Sequence, residues 1–293
     1  MTKSERRHTR RDVRPTDPTP MRLTERDLDI LQAVYEYELL TTQQLQTLFF
    51  PSWHTAYRRL ARLYRHRLLD RKFLGMHADS VNTPALYVLD KRGVQVLRAQ
   101  RGREMVWRQR LKPLSITFLE HTIAINHVRV AVAKACQDTA GFALVRWQGE
   151  NELKGDYDRV TIESDTGRKV NVSLIPDSYF VLQTPKGVAH FFLELDRGTM
   201  TVKRFKSKIL AYQAYYASGA YQRRYDTRSL RILTVTSSTK RAEHLKQMTE
   251  LVGGKQRYWF STLDQLAPET VLERPIWQVA TQTEAQPLVD LQA

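Results

Sequence analysis

Cysteine is nearly missing: Cys136 is the single one in 293 residues, so one chain forms neither an internal disulfide nor a cysteine-ligated zinc centre. Long apolar runs are missing too. None approaches the roughly 20 residues of a membrane-spanning helix, and no apolar stretch follows the basic beginning of the chain as a signal peptide requires. Acidic residues are scarce beside basic ones, 31 Asp plus Glu against 46 Lys plus Arg, for a formal charge of +15. An intracellular protein with a polyanionic partner is expected, nucleic acid more simply than an anionic membrane.

The length implies two domains, each able to bury a core. Residues 1–21 hold Lys3, Arg6, Arg7, Arg10, Arg11 and Arg14, then Pro15, Pro18 and Pro20. They read as a basic disordered arm, which either follows phosphates or a minor groove or only keeps the chain soluble. From residue 22 to 97 the pattern is helical and then strand-like. Thr24 caps a first helix with Leu28, Leu31, Val34 and Tyr35 inside, and Asp27 in its first turn suits the helix dipole. Thr41 or Thr42 caps a second helix, which Pro51 ends, and Ser52 caps a third, His54 to Arg67, with Ala56, Leu60 and Leu63 inward. Leu69 to Leu74 and Ala85 to Leu89 alternate like strands, with Gly75 to Pro84 as a wing-sized loop between them. Asp90 opens another short helix.

This outline is a winged helix-turn-helix. Between Ser52 and Lys72 seven basic residues (Arg58, Arg59, Arg62, Arg65, Arg67, Arg71, Lys72) face one acid, Asp70, a local charge of +6. Tyr57, Arg58, Arg59, Arg62 and Arg65 are expected against the groove and backbone of DNA, with Lys72 and His77 near the wing. Winged helices also bind proteins, and that alternative stays open.

Residues 98–115 form a basic linker, and 116–267 the second domain. A nearly all-apolar helix over 118–137 opens it, expected between layers or, less simply, at a dimer contact. Glu120 either approaches the site of this domain or caps the surface. Phe142 to Trp147 is a strand, Glu150 or Glu152 stands near its end, and Asp156 and Asp158 read as loop acids. Leu230 to Val235 and Tyr258 to Phe260 are further strands, flanking a helix from Thr239 to Leu251. Residues 268–293 read as a polar tail, mobile from Thr281 onward.

The chemistry-bearing stretch lies between Val170 and Tyr216. Val170 to Leu182 has strand composition with Pro176 and Asp177 in its middle, which points to an edge strand or a bulge. His190 to Asp196 is apolar until Glu194 and Asp196, which alternation puts on one face, opposite Leu193 and Leu195. Arg197-Gly198 breaks the strand, and Thr199 or Thr201 caps a helix with Val202, Phe205, Ile209, Tyr212 and Tyr216 on one apolar stripe. Hard divalent cations take oxygen ligands, often one or two carboxylates. Asp177, Glu194 and Asp196 are candidate ligands and catalytic acids for Mg2+ or Mn2+, which activates water for attack on a phosphodiester. At roughly 100° per residue, Lys206 and Lys208 flank the apolar stripe while Lys203 points away. The bland alternative makes these acids helix caps or partners of arginine.

Pro176-Asp177 followed by Glu194-Leu195-Asp196 resembles the PD-(D/E)xK nuclease superfamily, of restriction-endonuclease-like fold. That pattern has lysine where Asp196 stands, and some members carry the lysine on the following helix, which makes Lys208, then Lys206, the catalytic candidate. The resemblance implies an α/β restriction-endonuclease-like core of order αβββαβ, and with the winged helix-turn-helix read above the chain is expected to be an α+β two-domain protein. Together with Leu23-Thr24-Glu25-Arg26-Asp27, Tyr87-Val88-Leu89, and Glu194 to Thr199 with Lys208 and Tyr212, the chain resembles the replication-relaxation family of conjugative plasmids and mobile elements. That resemblance implies DNA as partner, a role in plasmid replication, relaxation or conjugative processing in the cytoplasm, and other replication or conjugation proteins nearby. Two functions follow as expectations: a DNA-binding accessory protein with a catalytically degenerate nuclease-like domain, or a Mg2+-dependent endonuclease or nickase.

Overall fold

The computed structural model describes residues 14, 20–73, 85–102, 115–163, 167–198 and 200–289. They fall into two compact units, 1–126 and 127–293.

In the first unit the helices α1 (Glu25–Glu36), α2 (Thr42–Phe49), α3 (Trp53–Arg65) and α4 (Lys91–Arg101) accompany β1 (Leu40–Thr41), β2 (Leu69–Phe73) and β3 (Ala85–Leu89). The caps expected from the sequence close their helices. Thr24 and Asp27 form a reciprocal box at α1, Thr41 and Gln44 another at α2, and Ser52 accepts from the Thr55 amide at α3. The strands pair antiparallel in the order β1-β3-β2, with Tyr87 of β3 between Leu40 and Arg71. Ile30, Leu31, Val34, Leu45, Leu60, Leu63 and Leu97 fill the core. At Gly93 a Cβ would lie 2.2 Å from the Leu68 carbonyl oxygen, so α4 can cross there only without a side chain. The loop between β2 and β3, and with it His77, lies outside the described residues.

Asp27 does more than suit a dipole. It is fully buried, accepts from the Thr24 amide at 2.7 Å, and pairs with Arg59, whose Nε lies 2.7 Å from Oδ1. Burial pushes the Asp27 carboxyl up, but the Arg59 and Thr24 hydrogen bonds outweigh it and hold the group below the usual carboxylate range. Arg59, expected at DNA, is therefore a structural partner of α1. Replacing Arg59 with alanine leaves a buried charge without its cation, and the expected loss is about 3–5 kcal/mol. The check is the urea midpoint; a change under about 1 kcal/mol, the range of exposed pairs, would contradict the assignment.

Arg14 departs from the reading of a free arm. Its guanidinium meets Asp70 at 2.9 Å and Asp90 at 2.8 Å, donates to the Leu69 carbonyl, and lies 4.5 Å from the Tyr64 ring centroid. Residues 1–13 and 15–19 of the arm, and 103–114 of the linker, lie outside the described residues.

The long helix α5 (Ile116–Asp138) does not begin the second unit; the division falls within it, after Asn126. The Asn126 side chain donates to the carbonyls of Tyr37 (3.0 Å) and Leu39 (2.7 Å) in the first unit. His127, on the other side of the division, places Nε2 2.8 Å from the Leu266 carbonyl in the second.

The second unit continues through β4 (Ala143–Gly149), α6 (Glu150–Gly155), β5 (Asp158–Glu163), β6 (Lys169–Leu174), β7 (Ser178–Thr184), β8 (Gly187–Asp196), α7 (Val202–Ala217), α8 (Ala220–Tyr225), β9 (Leu230–Thr236), α9 (Thr239–Leu251), β10 (Tyr258–Thr262), β11 (Trp277–Val279) and β12 (Ala285–Gln286). Seven strands form one mixed sheet, β12-β11-β10-β9-β8-β7-β4, in which β8, β9 and β10 run parallel and the other neighbours antiparallel. Along the chain α5, β4, β7, β8, α7 and β9 follow one another in the order helix, three strands, helix and strand, with α6 to β6 lying between β4 and β7 and α8 between α7 and β9.

Three expectations are corrected here. The run from Val170 to Leu182 is two strands in two sheets: β6 pairs with β5 in a separate hairpin and β7 joins the main sheet. Pro176 offers no amide to a ladder and Asp177 turns its carboxylate to β8, so pairing stops between them. Asp158 is no loop acid; it opens β5 and accepts from the Tyr215 hydroxyl at 2.5 Å. The polar tail is folded through residue 289: β11 and β12 extend the sheet, and Trp277, Val279, Leu288 and Val289 are buried. Strands of two and three residues are too short to show alternation, which is why the composition read as tail.

Helices α7 and α9 pack on a core that includes Phe192 of β8, Ile232 of β9 and Phe260 of β10. On α7 the buried stripe is Phe205, Ile209, Tyr212 and Tyr215, whereas Val202 is 38% exposed and Tyr216 only partly buried.

Candidate functional site

The residues singled out in the sequence separate into three groups. The first is a carboxylate site on the α7 side of the sheet. Asp177 immediately precedes β7, and its Oδ2 accepts from the Leu195 amide at 2.6 Å, which ties it beside Glu194 on the neighbouring strand. Glu194 is 4% exposed. Lys208 Nζ donates to one of its carboxylate oxygens and the Tyr212 hydroxyl to the other, both contacts short. These two donors stand one turn apart on α7, where i and i+4 share a face. Burial pushes the Glu194 carboxyl up to about 7, Lys208 pulling it down and Asp177 pushing it further up. Burial opposes the charge of Lys208 as well, but the carboxylates of Glu194 and Asp177 prevail and hold the ammonium above its ordinary value. Burial and the Glu194 charge together drive the Tyr212 hydroxyl well up.

The lysine of this site is thus Lys208; Lys206, partly exposed on the same helix, is not among the hydrogen-bond partners of Glu194. Tyr212 stood in the sequence on the apolar stripe and, beside Lys208, among the residues of the family resemblance, with no role as a donor; its position four residues after Lys208 was the signal for one. Thr234 had no signal. It is the register partner of Glu194 on β9, is 1% exposed, and its hydroxyl oxygen has no hydrogen-bond partner among the described residues.

Asp196, expected beside Glu194 as a ligand, belongs instead to an ion pair. Arg241 of α9 places Nε 2.7 Å from its Oδ2, the Thr236 hydroxyl donates at 3.3 Å, and Arg241 also reaches the Met200 carbonyl. Among the described residues there is no group of three or more His, Cys, Asp or Glu side chains placed to hold a metal. What is available is Asp177 and Glu194, two oxygen donors of the kind Mg2+ takes with water and phosphate. They meet that minimum, and a cation there would share the Glu194 carboxylate with Lys208 and Tyr212, which already donate to its two oxygens. Other acids of the second unit are placed otherwise: Glu150 pairs with Lys154 at 2.8 Å, Glu152 is exposed, and Asp156 meets Arg224 at 3.1 Å; Glu120 belongs to the first unit.

The second group lies on α3, along its outer side and at its first turn. Ala56, Leu60 and Leu63 point to the core, which leaves His54, Arg58, Arg62 and Arg65 exposed. Trp53 is 46% exposed and stacks on Tyr57, ring centroids 5.0 Å apart and planes 12° apart, with His54 edge-on to it at 5.5 Å. Arg62 donates to the Pro20 carbonyl at 3.3 Å. The third group comprises the cations paired within the fold, Arg59 of α3 and Arg71 and Lys72 of β2, of which Lys72, expected near the wing, stays half-exposed. Arg59 pairs with Asp27, Arg71 is buried with its guanidinium 4.4 Å from the Tyr64 ring centroid, and Lys72 meets Asp70 at 3.0 Å.

Among solved structures the chain is similar to the restriction endonuclease FokI bound to DNA, at 11% identity and a TM-score of 0.28, over 83% of this chain and 43% of that one. A second structure of the restriction endonuclease FokI matches at the same identity and TM-score, over 82% of this chain and 42% of that one. The chain therefore spans less than half the length of these proteins. No curated protein matches it. No helix among the described residues is long and apolar enough to cross a membrane. The model of the Replication-relaxation family matches residues 31–230, more than half of the 293, and the chain belongs to that family.

Proposed function

We propose that this is a DNA-binding protein of a mobile genetic element, acting in plasmid replication, relaxation or conjugative DNA processing, in the cytoplasm with the DNA it serves. The first unit is a winged helix-turn-helix with α3 against the DNA, and the second a restriction-endonuclease-like core that serves as a platform for recognition or assembly with other replication or conjugation proteins. One observation carries this reading: α3 buries its apolar side and leaves Arg58, Arg62 and Arg65 exposed on the other. The formal charge of +15 and the family support it. The test is binding of labelled duplex, tailed and single-stranded DNA over a range of salt. Tight binding that falls steeply with salt supports the proposal; affinity independent of salt overturns it.

A second reading is favoured by a different observation, the arrival of Lys208 from α7 at Glu194 with Asp177 alongside. In it the protein is a Mg2+- or Mn2+-dependent endonuclease or nickase. Asp177 and Glu194 would hold the cation, which supplies an activated water and charge neutralisation at a phosphodiester. Lys208, released from Glu194, would donate to the phosphate oxygens as negative charge builds on them. Supercoiled plasmid incubated with Mg2+, Mn2+ or EDTA separates the readings. Nicking that needs metal and drops by about 10²-fold or more in Asp177→Ala and Glu194→Ala, the scale of losing one charge-stabilising group, makes the protein a nuclease. Binding without cleavage leaves the first reading alone.

A further inference from the structure

Trp53 is placed against the usual logic of a tryptophan. The core side of α3 is complete without it, since Ala56, Leu60 and Leu63 are fully buried, and Trp259 and Trp277 elsewhere in the chain are 9% and 0% exposed. Trp53 instead presents a large ring to water at 46% exposure at the start of the helix, beside His54, which shares the outward side with Arg58, Arg62 and Arg65; at roughly 100° per residue Trp53 itself lies a third to half a turn round from those arginines. Its orientation is fixed: Tyr57 stacks on one side at 5.0 Å and His54 closes an edge at 5.5 Å. A ring already held in place loses little freedom when a further ring settles on it.

Resting on the DNA-binding reading above, we infer that the outward side of α3 together with its first turn takes DNA with unpaired bases, a single strand or a junction where a duplex opens, and that Trp53, at the helix start, is the platform on which a base stacks. The chemistry of the side chain separates this from groove reading. An indole offers one donor, Nε1, and no acceptor, so it reads little of the donor and acceptor pattern at base-pair edges. What it offers is a π-face. In a duplex the faces of the bases are covered by their neighbours, and reaching one by wedging between base pairs costs a few kcal/mol. An unpaired base presents its face without that cost. Cations that follow the backbone, beside an aromatic that receives bases, are the combination that binds single strands with little regard to sequence. The three arginines supply the complementary charge, and Arg59, held by Asp27, does not compete for the same phosphates.

The experiment compares the full chain with Trp53→Ala and Trp53→Phe on three probes: an oligothymidine, a duplex of mixed sequence, and the same duplex with a single-stranded tail. One base–aromatic stack is worth about 1–3 kcal/mol, so Trp53→Ala is expected to weaken binding of the single strand and of the tailed duplex by about 5- to 150-fold. Duplex affinity should change by less than about twofold. The salt dependence on every probe should be unaltered, because no charge is removed, and Trp53→Phe should recover most of the loss. A 2-aminopurine placed in the tail should be quenched by the wild type and not by Trp53→Ala. Equal losses on duplex and single strand, or no loss on the single strand, overturn the inference while leaving DNA binding itself intact. A wild type that binds none of the probes in a salt-dependent way overturns both. Trp53 lies outside the core, so its variants should keep the wild-type urea midpoint.

Discussion

Replacing Arg58, Arg62 and Arg65 together with alanine is expected to lower DNA affinity about a hundredfold at moderate salt and to flatten its salt dependence. The magnitude follows from about 1 kcal/mol for each phosphate contact, 1.4 kcal/mol being a factor of ten in binding. The slope of log affinity against log salt should become shallower by nearly one unit per lost contact, about 2.7 in all for duplex. These side chains are exposed, so the unfolding midpoint should hardly move. Arg59→Ala is the informative contrast. Its neighbour Arg58 points to solvent while Arg59 is drawn to Asp27, so Arg59→Ala should lose stability and keep its salt slope. If Arg59→Ala and the triple variant lose affinity alike at full stability, the division of cations between fold and DNA is wrong.

The second large effect concerns the Glu194 and Lys208 pair. Lys208→Met leaves Glu194 buried beside Asp177 without its cation, and a loss of about 3–5 kcal/mol is expected near pH 8. The loss should depend on pH in a stated direction. Burial raises Glu194 from an ordinary 4.5 to about 7, so the folded state holds its proton more tightly than the unfolded state does. Such a group stabilises fully below its unfolded value, and the contribution fades as pH rises through the folded one. Wild-type stability therefore carries a falling component between about pH 4.5 and 7. Removing Lys208 takes away the influence that pulls Glu194 down, so the fall extends to higher pH and deepens. Urea midpoints should show a small deficit for Lys208→Met at pH 5 and a large one at pH 8. Glu194→Gln combined with Lys208→Met should recover most of it, since neither partner is then charged. An identical deficit at both pH values would show that Lys208 acts through packing and not through the charge of Glu194.

Much of this site was legible in the sequence because it rests on local rules. Alternation put Glu194 on one face of β8, and helical spacing brought Lys208 to one flank of the α7 stripe, where the structure finds it. The same rules caught the caps at Thr24 and Ser52, whose partners lie three residues away. What was missed depends on contacts across many residues. Arg59 looks like its neighbours on α3 until Asp27, 32 positions earlier, claims it. Asp196 looks like a ligand until Arg241 arrives from α9, and Thr234 meets Glu194 only through the parallel register of β8 and β9. The β5 and β6 hairpin was concealed because an apolar run carries no mark of which sheet each half joins.

The short strands β11 and β12 decide where the chain can be cut. The polar segment they occupy invites removal at Ala267, yet β11 is the outer partner of β10, and the Trp277 indole donates to the Val271 carbonyl beneath it. A protein ended there would leave the backbone of Trp259 and Phe260 as an open strand edge and would lose the cover of Trp277 and Leu288, the kind of border that recruits other chains. Shortened at that point, the second unit is an aggregate in the making and not a minimal domain.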